Sequence, residues 1–92
     1  MAKAEISWKR TDSEGLKWLV YAHHVGDRWL FYSRQRRFHQ WQRQDDPPLE
    51  DWLELLDGVQ RRVARRLLPP KEEDRVKKTI TERFPKAAAS IA

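Results

Sequence analysis

The chain has 92 residues, of which 39% are hydrophobic and 36% charged, and its formal net charge at pH 7 is +5. This length supports one modest core, and five tryptophans supply enough apolar area to argue against intrinsic disorder. Because cysteine is absent, disulfides and thiolate-ligated metals are excluded.

The N-terminal stretch MAKAEISWKR lacks the apolar core of a signal peptide. No window of the sequence approaches the roughly 20 apolar residues that a membrane span requires. We therefore expect a cytoplasmic protein that does not bind membranes.

The first half of the chain is rich in strand-forming residues. The runs ISWKR, LKWLVYAHHV and RWLFYS are aromatic and β-branched, and DSEG and GD separate them. The pair Gly26-Asp27 predicts a two-residue hairpin loop, in which Val25 pairs with Arg28 and Tyr21 with Tyr32. A turn within RQRR and a returning strand within FHQWQRQ are expected next, but no Gly or Pro marks the turn. The facing of Phe38 and Trp41 stays open.

Alternation along these strands separates two faces of the sheet. The predicted core face carries Leu16, Trp18, Val20, Ala22, Trp29 and Phe31, with His24 near the turn. The opposite face combines cations and tyrosines with a few other side chains: Lys17, Leu19, Tyr21, His23, Arg28, Leu30, Tyr32, Arg34 and Arg36.

A long amphipathic helix is predicted from about Pro48 to Leu67, because prolines mark both ends. Its acidic residues lie in the first half and its arginines in the second, which complements the helix dipole. The apolar stripe that we expect to pack on one face of the sheet comprises Leu49, Trp52, Leu53, Leu56, Val59, Val63 and Leu67.

A shorter helix should begin at Pro70 and end before Pro85, with a narrow apolar line of Val76, Ile80 and Phe84. The predicted fold class is therefore α+β: a three- to four-stranded antiparallel β-meander, then the long helix, then the shorter one. We expect one domain over residues 1–86 and a frayed tail over residues 87–92.

The positive charge is unevenly distributed. Residues 1–44 contain nine Lys or Arg and four Asp or Glu, whereas residues 45–92 contain ten of each. Grouped cations attract polyanions, so the sheet half is the candidate binding region.

Single-stranded nucleic acid is commonly bound by cations that track phosphates and by aromatic rings on which bases stack. The candidate nucleic-acid-binding residues are Lys17, Tyr21, Arg28, Tyr32, Arg34 and Arg36, with His39 and Trp41 as a possible extension. The alternative is structural: tyrosine pairs and arginine stems also stabilise an exposed antiparallel face. The stretch RWLFYSRQRRF lacks the glycines of the RNP1 pattern, which excludes an RRM.

Other chemistry has little support in the sequence. His23 and His24 point to opposite faces of a strand, so we expect no metal site. The arginine run RRVARR is explained by dipole compensation and by the acids that cancel its charge, with a supporting role in phosphate contact as the alternative. No nucleophile, phosphate-cradling or metalloprotease motif is present, so we expect neither an enzyme nor a cofactor. The alternative to a nucleic-acid ligand is a protein partner or a homodimer, using the same face or a sheet edge. The identity of the ligand, DNA or RNA included, stays open.

Overall fold

The structure, a computed structural model, describes residues 5–26, 28–38 and 40–91. An antiparallel four-stranded sheet comes first and helices follow, which confirms the predicted α+β class. The chain divides into two compact units, Met1–Pro47 and Pro48–Ala92, which are described separately. The packing of the long helix on the sheet and the single domain over residues 1–86 stay predictions.

The sheet is a meander in which strands adjacent in sequence are also neighbours in space. Its β2–β3 register pairs Tyr21 with Tyr32, as the two-residue loop predicts. Gly26 has a φ of +61°, which glycine adopts without a Cβ penalty, while Asp27 lies outside the described residues. The strands are β1 (Glu5–Thr11), β2 (Lys17–Val25), β3 (Arg28–Gln35) and β4 (Gln42–Gln44).

The loop between β1 and β2 is organised by Asp12. Its Oδ1 accepts hydrogen bonds from the backbone N–H groups of Glu14 and Leu16, and its Oδ2 accepts one from Trp18 Nε1, each at 2.9 Å. The bond from Trp18 is the main cause that lowers the pKa of Asp12 below its usual 3.8. Leu16 lies in this loop and is 36% exposed, so the prediction that it belongs to the core was wrong.

One face of the sheet supplies most of the buried residues of this unit. Val20, Ala22 and Phe31 are buried as predicted, whereas Trp18 and Trp29 are only half-buried. The first strand adds Ile6, which is buried opposite Ala22, and Trp8, whose ring lies edge-on to Phe31 at 6.1 Å.

The first helix, α1 (Leu49–Ala64), ends three residues before the predicted Leu67. Arg66 adopts a left-handed φ of 60°, so the helix cannot continue through it. The N–H of Leu67 donates to the carbonyl of Arg62 at 2.8 Å, and that of Arg66 to Val63 at 3.0 Å. This is the hydrogen-bond pattern of a Schellman motif, here with arginine in the position that glycine usually occupies.

The buried face of α1 is rotated from the predicted stripe. Trp52, Leu56 and Val59 are buried as predicted, but Leu55 is fully buried and Leu53 is 38% exposed. Leu55 completes the i, i+3, i+4, i+7 spacing that begins at Trp52, whereas Leu53 lies outside that arc.

The second helix, α2 (Pro70–Arg83), has the predicted limits and buries Val76 and Ile80. Gln60 Nε2 donates to Glu73 Oε2 at 3.4 Å, and the guanidinium carbon of Arg83 lies 5.5 Å from the Trp52 ring centre. These contacts join the end of each helix to the beginning of the other, so the pair is antiparallel.

The segment after α2 contains a short 3₁₀ turn at Pro85–Ala87 and a helix of four residues, α3 (Ala88–Ile91). Whether the tail at 87–92 frays stays a prediction.

Candidate nucleic-acid interface

The register of the sheet assigns residues from all four strands to the face opposite the core. Ser7 pairs with Tyr21, Tyr21 with Tyr32, and Tyr32 with Arg43, which forms one row across the sheet. None of the described residues on this face is buried. We call this surface the tyrosine face.

An aromatic cluster lies at the centre of the tyrosine face. The rings of Tyr21 and Tyr32 stack with centroids 4.9 Å apart and planes 29° apart. Trp41 meets Tyr21 edge-on at 4.7 Å, with an interplanar angle of 77°. The structure thus brings Trp41 to the tyrosine face, although sequence alternation left its facing open. Its side chain is 42% exposed, which leaves ring surface available for a planar ligand.

Arg34 fastens this cluster to the connection between β3 and β4. Its guanidinium carbon lies 5.1 Å from the centre of the Trp41 ring, within the range of a cation–π interaction. Its Nη1 also donates to the carbonyl of Arg36 at 3.2 Å and to the carbonyl of Phe38. Arg34 therefore holds Trp41 and the turn together in addition to supplying charge.

The phenol of Tyr21 stays neutral over the physiological range. Partial burial raises its pKa above the usual 10.0, and Tyr32 and Glu5 add to the effect. A neutral ring keeps negative charge out of the centre of a basic surface.

Cations surround the aromatic cluster on several sides. The basic residues of the tyrosine face are Lys9, Lys17, Arg28, Arg34 and Arg43. Within the described part of the chain, Lys9, Lys17 and Arg28 make no ion pair. Arg43 lies 3.7 Å from Asp45, but this pair is highly exposed and its attraction is correspondingly weak. The acid on this face, Glu5, lies 3.6 Å from His23 Nδ1.

Five of the six predicted site residues lie on the tyrosine face: Lys17, Tyr21, Arg28, Tyr32 and Arg34. Arg36 instead lies in the turn after β3, exposed, with its N–H bonded to the carbonyl of Lys17 at 3.0 Å. The strand ends at Gln35, so alternation no longer determines where the Arg36 side chain points.

The sequence analysis missed Lys9 and Arg43 and named Trp41 only as an extension of the site. Lys9 pairs with Leu19 and Arg43 with Tyr32, but neither pairing follows from the hairpin at Gly26. Alternation within ISWKR and QRQ was the available signal, and it requires the register of both strands.

The helical unit pairs some of its charges locally. Arg61 lies 3.1 Å from Asp57, and Lys77 lies 3.0 Å from Glu73, each pair one helical turn apart. Both pairs follow the i, i+4 spacing that brings side chains together on a helix.

The two described histidines, His23 and His24, form no shared site. His24 stacks on Trp29 with centroids 4.4 Å apart, on the face opposite His23. His39 lies outside the described residues. In residues 5–26, 28–38 and 40–91, no three His, Asp or Glu side chains converge as a metal site would require.

No protein-family model, curated protein or solved structure matches this chain. Among the helices that the structure describes, none combines the length and apolar character needed to cross a bilayer. We therefore infer the candidate interface from its geometry and charge.

Proposed function

We propose that this protein binds single-stranded nucleic acid through the tyrosine face and performs no chemistry on it. The observation that carries the proposal is the arrangement of Trp41, Tyr21 and Tyr32 as an accessible aromatic cluster within a ring of cations. Bases stack on such rings irrespective of sequence, and lysine and arginine contact phosphates alongside. A cytoplasmic location is part of the same proposal.

The positions of the cations fit a single strand of nucleic acid that crosses the β-sheet. Lys9 and Arg28 lie on different strands on either side of the stacked tyrosines, and Arg43 lies beyond Tyr32. Neighbouring strands are ~4.8 Å apart, so these charges extend over a width comparable to a few nucleotides. A nucleic-acid strand that crosses from β1 to β4 over the aromatic cluster therefore passes Lys9 at one edge, Arg34 beside the tyrosines and Arg43 at the other edge.

A salt titration with a labelled mixed-sequence oligonucleotide tests the proposal. If about three to five phosphates are contacted, the logarithm of affinity should fall against log salt with a slope of about −2 to −3.5. Trp41→Ala should weaken binding by ~1–3 kcal/mol and leave the slope unchanged, since stacking releases no counterion. Lys9→Gln should reduce the slope by about 0.7.

Two results would contradict the proposal. Absence of binding to both DNA and RNA single strands at low salt would remove it and favour a protein partner or a second copy. Binding that Trp41→Ala leaves unaffected would mean that the ligand lies elsewhere on the surface. Fluorescence anisotropy measures both affinity and slope.

A further inference from the structure

A cavity of about 490 Å³ lies where β3 passes into the connection to β4. Its volume falls within the range of roughly 300–1,000 Å³ typical of small-molecule sites and exceeds that of one nucleobase. Two aromatic rings, one guanidinium and three amides line it: Trp18, Arg34, Gln35, Phe38, Gln40 and Gln42. We call it the corner cavity.

The three amides of the corner cavity are available to a ligand. Within the described residues, the side chains of Gln35, Gln40 and Gln42 make no hydrogen bond, whereas Gln60 in α1 bonds to Glu73. Each amide offers both a donor and an acceptor. The lining contains no carboxylate, so nothing in it repels an anionic backbone nearby.

The aromatic rings give the cavity flat walls. Phe38 is 51% exposed, so one wall is reachable from solvent. Trp18 is half-buried, and its Nε1 is engaged by Asp12, which holds the indole in place. Flat apolar walls with amides at their margin suit a planar heterocycle that hydrogen-bonds through its edge.

The corner cavity and the aromatic cluster share a wall. Arg34 lines the cavity and also lies over the Trp41 ring at 5.1 Å. Gln40 and Gln42 flank Trp41 in the sequence and line the cavity, while Trp41 turns to Tyr21. Trp18, Gln35 and Gln42 belong to the core face of the sheet, so a nucleic-acid strand with one base on Trp41 places a further base in the cavity by passing around the connection between β3 and β4.

We propose that the corner cavity is a base-specific pocket that takes one adenine of the bound strand; this inference rests on the proposed function. A glutamine amide matches adenine, which presents a donor at N6 beside an acceptor at N7. Guanine presents two acceptors, which suit an arginine fork, but Arg34 already donates to the carbonyls of Arg36 and Phe38. The amides therefore favour adenine.

The test varies one central base in an otherwise all-thymidine oligonucleotide. Adenine at that position should tighten binding about five- to tenfold relative to cytosine or thymine. Gln42→Leu should abolish this preference and leave binding of the all-thymidine strand within about twofold. The matched control is Gln44→Leu, two residues along β4 and not part of the cavity lining, which should retain the preference. Circular dichroism verifies that both variants fold.

A second measurement separates the pocket from the interface. Adenosine monophosphate is titrated into the isotope-labelled protein, and the side-chain amide signals of Gln35, Gln40 and Gln42 should shift, whereas that of Gln44 should not. Equal binding of all four bases would overturn the adenine pocket and leave the interface standing. If no oligonucleotide binds, the proposed function fails. The titration with adenosine monophosphate then tests the adenine pocket by itself, and the absence of shifts in the three amide signals would overturn the pocket as well.

Discussion

The sheet unit and the helical unit carry similar charge but arrange it differently. Residues 1–47 contain nine Lys or Arg and six Asp or Glu, and residues 48–92 contain ten and eight. The apparent excess of the first half thus depends on assigning Asp45 and Asp46 to the second. The structural boundary after Pro47 removes most of that difference in number.

What differs is how each secondary structure pairs its charges. In the helices, acids and bases three or four residues apart meet on one side, as Glu72 and Arg75 do at 2.9 Å. In a strand, same-face neighbours are two residues apart or on another strand, so pairing depends on register. Lys9, Lys17 and Arg28 consequently remain without an ion pair among the described residues. Arg65, Arg66, Lys71 and Lys78 of the helical unit also make no ion pair among the described residues, so what distinguishes the sheet surface is the aromatic cluster that its cations flank.

The largest expected effect tests whether the helical unit depends on its own packing. Trp52 is only 6% exposed, so Trp52→Ala should lower the free energy of unfolding by ~3–5 kcal/mol. The neighbouring Leu53 is 38% exposed, and Leu53→Ala should cost less than about 1 kcal/mol. Denaturant titrations measure both, and equal losses would mean that the buried face of α1 is assigned incorrectly.

The next effect sharpens the comparison between the two sets of cations. Replacing Lys9 and Arg28 together with glutamine should weaken oligonucleotide binding about tenfold at low salt and reduce the salt slope by about 1.4. Replacing Arg62 in α1 and Arg65 directly after it with glutamine should leave the affinity within about twofold. Anisotropy titrations at several salt concentrations compare the two, and the reverse outcome would transfer the interface to the helices.

A smaller effect concerns the end of α1. Because Arg66 holds a left-handed φ of 60°, Arg66→Gly should raise the free energy of unfolding by about 1 kcal/mol. Arg66→Ala removes the same side-chain charge without relieving the backbone, so it should bring no such gain. Thermal denaturation distinguishes them, and a gain in both variants would assign the effect to charge.

The smallest effect depends on pH and concerns the Asp12 loop. Since folding lowers the pKa of Asp12 below 3.8, its ionised form stabilises the fold above that value, and the stabilisation disappears as pH falls through the folded-state pKa. Asp12→Asn keeps a carbonyl for Glu14 and Leu16 but loses the acceptor for Trp18. The variant should therefore be modestly less stable at neutral pH, and this difference should shrink in acid. A difference that stays constant with pH would contradict the assignment; Glu14→Gln, which removes an exposed charge in the same loop, is the control.

Short-range sequence signals were sufficient to predict several structural elements of the molecule. Gly26 specifies a tight hairpin, and from it the pairing of Tyr21 with Tyr32 follows by counting. Prolines and a first-turn acid mark the start of α2 at Pro70. These features depend on residues close together in the chain, so the sequence by itself determined them.

Tertiary structure alone decided which further residues join the five predicted ones in the candidate site. Trp41, which directly precedes β4, contacts Tyr21 when β4 is paired with β3, and no turn signal in RQRR indicates that pairing. Lys9 and Arg43 join the tyrosine face through registers that long-range hydrogen bonding sets, and Leu55 rather than Leu53 is buried because of which side of α1 is covered. Alternation in strands, with a period of 2 residues, and in helices, with a period of 3.6, indicates which side chains share a face. The contacts between elements determine which faces meet.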